Sequence, residues 1–185
     1  MDESVMKGKN RILLHTCCAP CAACCWERLH EEGYRVTLFY SNSNIYPEDE
    51  YDLRLEYVHK LAGILGVELL CDTYDHSSWL EAVAGFEQEP EQGRRCSICF
   101  EFNLERAALR AEMEDITSFT TTLTLSPHKV SRMIFEVGKI FPQYLSVDFK
   151  KRGGFERSVA FSKKHGLYRQ SYCGCEFSMR EVKTE

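Results

Sequence analysis

The sequence has no apolar run approaching the roughly 20 residues that a membrane span requires. It holds only 5 Pro and 11 Gly among 185 residues, and no internal repeat or low-complexity segment. The opening Met1-Asp-Glu-Ser-Val-Met-Lys lacks the apolar stretch of a secretory signal, so a cytoplasmic protein is expected. Charge of one sign is also scarce, at a net -5. With 12% aromatic and 44% hydrophobic residues, the chain is not disordered. Chains of roughly 150 residues remove about two-thirds of their unfolded surface from water. Length and composition therefore predict a single α/β domain over residues 1–185 with a sizeable core.

What is abundant is cysteine. Ten residues, Cys17, Cys18, Cys21, Cys24, Cys25, Cys71, Cys96, Cys99, Cys173 and Cys175, are too few for a small disulfide scaffold, which carries roughly 8–10%. Nine of the ten fall in three short groups, a distribution that scattered core thiols do not produce. In a reducing compartment, clustered thiols point to metal binding or redox chemistry.

Strand and helix signals alternate along the chain. Ile12-Leu-Leu reads as a strand entering the turn His15-Thr-Cys-Cys-Ala-Pro, and Pro20 suits the first turn of a helix to about Leu29. Val36–Tyr40 is a second strand, and Pro47 opens a helix with Tyr51, Leu55, Val58, Ala62 and Leu65 on one face. A third strand is expected at 67–71, a short helix at 77–84 and a polar loop at 85–95. Further helices are expected at about 99–114, 127–141 and 154–164, with strands at 118–123 and 144–147. Strands separated by helices predict a mostly parallel sheet covered on both faces, followed by a Cys-bearing C-terminal extension. Such sheets hold ligands outside the carboxyl ends of their strands, where the first cysteine group falls.

That group stands at a helix N-terminus, whose free N–H groups and dipole favour thiolates. Cys18, Cys21 and Cys24 follow C-x2-C-x2-C, the opening of a bacterial ferredoxin run, but the later Cys-Pro is missing. Cys96 and Cys99 form a C-x2-C half-site for zinc or an iron–sulfur cluster. In Cys173-Gly-Cys, Gly174 permits a bend that turns both thiols toward one centre. Cys71, ending a strand, reads as a small buried hydrophobe, and Cys24 and Cys25 on the first helix serve packing as readily as ligation. A closed four-ligand zinc site would leave three of the seven best-placed thiols unused.

His15-Thr-Cys-Cys-Ala-Pro-Cys, Tyr40-Ser-Asn-Ser-Asn-Ile-Tyr-Pro, Arg95-Cys-Ser-Ile-Cys-Phe, Thr120-Thr-Thr-Leu-Thr-Leu-Ser-Pro-His-Lys, Asp148-Phe-Lys-Lys and Tyr168-Arg-Gln-Ser-Tyr-Cys-Gly-Cys carry a resemblance. Together, over residues 11–178, they are similar to the QueH-type, cobalamin-independent epoxyqueuosine reductases. The resemblance implies a fold akin to adenine-nucleotide α-hydrolases (HUP-like). It implies two-electron reduction of an epoxide to an alkene on the wobble nucleoside of tRNA, an unidentified electron donor, a [4Fe–4S] cluster and a second metal ion, iron. Thr16-Cys-Cys-Ala-Pro-Cys stands where a phosphate-cradling Gly-rich loop would lie, so no ATP use is expected.

On this reading Cys17, Cys18, Cys96 and Cys99 hold the cluster. Cys21, Cys173 and Cys175 serve the second metal or a dithiol relay, with Asp148 as an oxygen ligand. Tyr172 and His15 are the proton-donor candidates. Residues 150–170 carry seven Lys and Arg against Glu156 alone, a local +6 in an acidic chain. Lys150, Lys151, Arg152 and Arg169 are the expected phosphate contacts, with Asn42, Asn44 and Tyr46 at the flipped-out base. An iron–sulfur tRNA thiolase and a zinc-stabilised RNA-binding module are the rival readings.

Overall fold

The computed structural model describes residues 11–183. Four parallel strands, β1 (Arg11–His15), β2 (Arg35–Tyr40), β3 (Leu69–Cys71) and β4 (Phe119–Thr121), form one sheet in the order β3-β2-β1-β4. The helices are α1 (Ala19–Glu31), α2 (Glu48–Leu65), α3 (His76–Ala82), α4 (Arg94–Met113), α5 (Ser131–Gly138) and α6 (Gly154–His165).

Side chains alternate across the sheet with period two. Ile12, Leu14, Val36 and Leu38 meet Ala22, Cys25 and Leu29 of α1, Val58 and Leu61 of α2, and Phe161 of α6. Leu13 and Phe39 point the other way, onto Phe100, Leu104 and Ala107 of α4 and Ile134 of α5. Leu13, Leu14 and Leu38 are fully buried, each contributing about 1.5–3 kcal/mol of transfer free energy. The expected parallel sheet with helices on both faces is what forms, and Cys24 and Cys25 are spent on its core.

Several boundaries differ from the sequence expectation. Helix α4 starts at Arg94, five residues early, because Gly93 takes an extended N-cap conformation and its carbonyl accepts from Cys96 and Ser97. Cys96 and Cys99 thus share one helix face, three residues apart. The helix expected from Pro127 begins only at Ser131; residues 126–129 make a turn closed by the Lys129 N–H on the Ser126 carbonyl. Of the strand expected at 144–147, only Tyr144 bridges to Phe119. Beyond it the hydroxyls of Thr120 and Thr124 bond the carbonyls of Leu145 and Val147, replacing a backbone ladder. After Thr121 the expected strand tightens into a 3-10 helix, Thr122–Leu125.

Candidate metal centre

The carboxyl ends of β1, β2 and β4 open into a cavity of about 450 Å³. All seven cysteines singled out from the sequence, Cys17, Cys18, Cys21, Cys96, Cys99, Cys173 and Cys175, line it. Cys71 does not. Segments separated by more than 150 residues in sequence therefore meet at one place.

Three of the seven thiols, drawn from both halves of the expected four-plus-three division, form one tight group. The sulfurs of Cys17, Cys18 and Cys21 lie within 4.8 Å of one another, and Cys17 and Cys18 are 3.8 Å apart. A single tetrahedral ion with metal–sulfur bonds of about 2.3 Å separates its sulfurs by about 3.8 Å, so this trio can converge on one metal centre. The Thr122 hydroxyl accepts from the Cys17 backbone N–H at 3.0 Å and donates to its sulfur at 3.2 Å, fixing the turn. Hydrogen bonding from Cys17 and then Cys21 holds the Cys18 thiol well below its ordinary range. The reciprocal bonds push the Cys17 thiol up and the Cys21 thiol well up.

Cys96 and Cys99 from α4 interact electrostatically with Cys173 and Cys175 from the C-terminal segment. Burial pushes the thiols of Cys96, Cys99 and Cys175 up. The chemistry of this donor set, seven soft sulfurs in one cavity, fits iron–sulfur or thiolate–metal ligation. Buried donors add to the fit: the Trp79 indole N–H and the Arg95 Nε have no geometric hydrogen-bond partner among the described residues, and both side chains line the cavity.

Cationic groups surround the thiols. The Lys129 ammonium donates to the Cys173 sulfur at 3.2 Å. Burial alone would lower its pKa, but the neighbouring sulfurs of Cys173, Cys17 and Cys21 outweigh burial and raise it. Arg54, 1% exposed, is paired with Glu50 at 2.6 Å. Its remaining nitrogens donate to the carbonyls of Cys173 at 3.1 Å and Tyr172 at 3.4 Å. A Cβ on Gly174 would meet Arg54 at 3.1 Å with φ at +123°, so the bend between the two thiols requires glycine. Sequence reasoning missed Arg54, Trp79, Asn103 and Lys129. Only Lys129 carried a signal, at the end of the Ser126-Pro-His-Lys motif; the others need the tertiary fold to be seen.

Asp148 lies outside the cavity lining. Its carboxylate accepts from the Ser131 hydroxyl and the Lys150 backbone N–H, both at 3.2 Å, tying the start of α5 to the following turn. Tyr172 does line the cavity; its hydroxyl donates to the Tyr46 carbonyl at 2.6 Å, and burial pushes its pKa up to about 12. His15 is fully buried between the Thr121 hydroxyl and the Ser41 carbonyl, at 2.8 and 2.9 Å, and is a structural clip rather than a cavity residue. Asn44 and Asn42 line the cavity: Asn44 accepts from Asn103 at 3.3 Å, and Asn42 donates to the Thr16 carbonyl. Tyr46 is 45% exposed beside it, stacked on His76.

Of the basic residues, Arg169 reaches the cavity rim, with its guanidinium over the Phe155 ring. Lys151 and Arg152 are exposed on the turn before α6. Lys150 is occupied as a brace, its ammonium on the Lys129 carbonyl and the Ser131 hydroxyl. No helix among the described residues is long and apolar enough to cross a membrane.

Fold and site define a parallel α/β protein with a thiol-lined metal centre at the carboxyl edge of its sheet. A solved structure described as a predicted subunit of tRNA methyltransferase from Methanocaldococcus jannaschii shares the architecture. Its TM-score is 0.57 at 16% identity, over 83% of this chain and 75% of that one. The model of the family "Epoxyqueuosine reductase QueH" matches residues 12–181. Relatives of that name include one from Streptococcus pyogenes, 38% identical over 91% of this chain and 70% of its own. Another, from Thermotoga maritima, is 35% identical over 92% of this chain and 91% of its own. The chain belongs to the epoxyqueuosine reductase QueH family of oxidoreductases.

Proposed function

We propose that this protein, as a single cytoplasmic α/β domain, reduces epoxyqueuosine to queuosine at the wobble position of tRNA. The reaction consumes two electrons from a donor protein or reductant and two protons. Both epoxide C–O bonds break, an alkene forms and the oxygen leaves as water. One observation carries this reading: seven cysteines from three distant segments line a single cavity at the sheet's ligand-binding edge.

Cys17, Cys18, Cys96 and Cys99 are assigned to a [4Fe–4S] cluster, and Cys21, Cys173 and Cys175 to the second metal ion, iron, or to a dithiol relay. When bound, the cluster supplies electrons one at a time and the single ion supplies Lewis acidity. The chain itself does the rest. Arg54 holds the 172–174 backbone over the cavity. Lys129 keeps a positive charge beside Cys173. Asn44, Asn103 and the exposed ring of Tyr46 offer hydrogen-bonding and stacking groups to an extruded base. Lys151, Arg152 and Arg169 supply phosphate contacts near the rim.

The test uses protein purified without air, analysed for iron and then incubated with reductant and tRNA carrying epoxyqueuosine. A brown protein and a nucleoside lighter by one oxygen are expected, with both lost in Cys96→Ser. A colourless zinc protein that leaves the nucleoside unchanged overturns the reading, and full iron in Cys96→Ser overturns that ligand assignment.

A further inference from the structure

Tyr46 is 45% exposed beside the cavity that its neighbours Asn44 and Ile45 line. An exposed aromatic side chain is ordinarily free to turn, but this one is mounted. Its backbone N–H donates to the Gly174 carbonyl at 2.9 Å, and its own carbonyl accepts from the Tyr172 hydroxyl at 2.6 Å. Its ring lies on that of His76, with centroids 5.3 Å apart and planes 25° from parallel. His76 is the only ring stacked on Tyr46 among the described residues, so the opposite face of Tyr46 carries no aromatic partner.

His76 is itself held by three elements. It opens α3, whose start is set by the Asp75 carboxylate accepting from the Ser78 backbone N–H at 3.0 Å. Its Nδ1 donates to the Ser43 carbonyl at 2.8 Å, and its Nε2 lies 3.0 Å from the Glu176 carboxylate. The rings of Tyr74 and the fully buried Trp79 also stack on it, at 6.1 and 5.4 Å. The Tyr74 hydroxyl ties down the same loop by donating to the Ile45 carbonyl at 2.8 Å. The imidazole thus joins the 41–47 loop, α3 and the C-terminal segment.

A flat ring with one face backed, immobilised before any ligand arrives, suits a nucleobase. Base–aromatic stacking is strong, and a ring already ordered in the free protein loses little freedom on binding. The epoxide to be reduced is carried on a cyclopentane ring attached to the base, so that ring can enter the thiol cavity while the base stays outside on Tyr46. We propose that His76 is a positioning residue, holding the Tyr46 ring as the fixed platform on which the extruded wobble base stacks. His76 touches neither the base nor the reacting atoms and acts through Tyr46 alone. This inference rests on the tRNA-reductase reading above, and the experiment separates the two.

Full-length protein purified without air is titrated into an anticodon stem–loop RNA carrying 2-aminopurine at the wobble position, whose fluorescence falls on stacking against an aromatic ring. Affinity is expected to drop about five- to a hundredfold in Tyr46→Ala, with the quenching lost. His76→Gln, which keeps a donor for Ser43 but loses the ring, should lower affinity about three- to tenfold and weaken the quenching. His76→Phe, which keeps a ring, should restore most of both. In a Tyr46→Ala background His76→Gln should lower affinity no further, to within about twofold, because no platform remains to be held. His76→Asn takes the place of His76→Gln should that variant fail to fold. Native affinity and quenching in the ring-less variant overturn the proposal. So does a loss of equal size with and without the Tyr46 ring, which marks a purely structural role for His76. RNA bound by the native chain with its fluorescence unquenched overturns the platform but leaves the reductase reading standing. A native chain that binds no RNA overturns both.

Discussion

Substituting Glu50→Gln would strip a nearly inaccessible guanidinium of its only carboxylate partner among the described residues while keeping side-chain size. The Glu50–Arg54 pair has side-chain exposures of 11% and 1% and a separation of 2.6 Å, so solvent screens it little. Burial would lower the Arg54 pKa, yet the hydrogen bond and charge of Glu50 raise it. Removing one partner of such a pair costs about 3–5 kcal/mol, because the remaining charge is left buried and unpaired. At about 2–4 °C per kcal/mol for a domain of this size, the melting temperature should fall by about 6–20 °C. The Tyr168 hydroxyl, which donates to Glu50 at 2.9 Å, loses its charged acceptor as well.

Arg54→Met removes the other partner and leaves the Glu50 carboxylate, 11% exposed, with the Tyr168 hydroxyl as a donor, so the fold should suffer no more than in Glu50→Gln. The carbonyls of Cys173 and Tyr172 nevertheless lose their anchor. Thermal unfolding, monitored by far-ultraviolet circular dichroism, measures the first effect, and the alkylation rate of Cys173 in metal-free protein measures the second. A Glu50→Gln variant within 1 kcal/mol of native would refute the reasoning, as would an Arg54→Met variant whose Cys173 is as protected as before.

His15 is held neutral, its pKa lowered by burial from 6.5, whereas the unfolded chain protonates near that value. The unfolded state then binds more protons below pH 6.5, so stability present above that pH declines as pH falls toward the folded value. His15→Asn should flatten this part of the denaturation profile, and an unchanged slope counts against the assignment. Asp148→Asn should keep its full complement of metal while losing about 1 kcal/mol from the α5 contact, and iron loss in that variant would restore the carboxylate as a ligand. Lys151→Glu with Arg152→Glu should weaken tRNA binding and lower the slope of log affinity against log salt by about 2. An unchanged slope moves the RNA surface elsewhere.

Periodicity located almost every element, because burial on one face or both leaves a pattern that a single sequence carries. Ends were less visible. Nothing local in Gly93-Arg-Arg announces that α4 starts there rather than near Cys99. Nothing in Leu145-Ser-Val-Asp tells that threonine hydroxyls across the gap will take the place of a strand. The seven cavity cysteines were legible as three clumps, since clustering needs only counting. Which of them converge on one metal was not, because that is decided by tertiary packing and not by spacing along the chain. Arg54 and Arg95 were invisible for a related reason. A charged residue looks solvated in sequence, and only packing reveals which guanidinium has been taken inside.

The position of the first thiol turn explains why a sheet of this type can hold metal with so little remodelling. Beyond β1, the first turn of α1 presents unpaired backbone N–H groups and the positive end of a helix, an arrangement that favours any anion. Pro20 occupies an early helical position where its missing N–H is no loss, and the Cys21 backbone N–H favours the ionised form of Cys18. A thiolate is therefore welcome where a phosphate would be. A second and third thiolate within 4.8 Å are not, since Cys17 and Cys21 keep their protons in hydrogen bonds within the trio. The raised thiols of Cys17 and Cys21 express that limit. A bound cation removes it, so the same turn that admits one negative charge without help admits three only together with a metal.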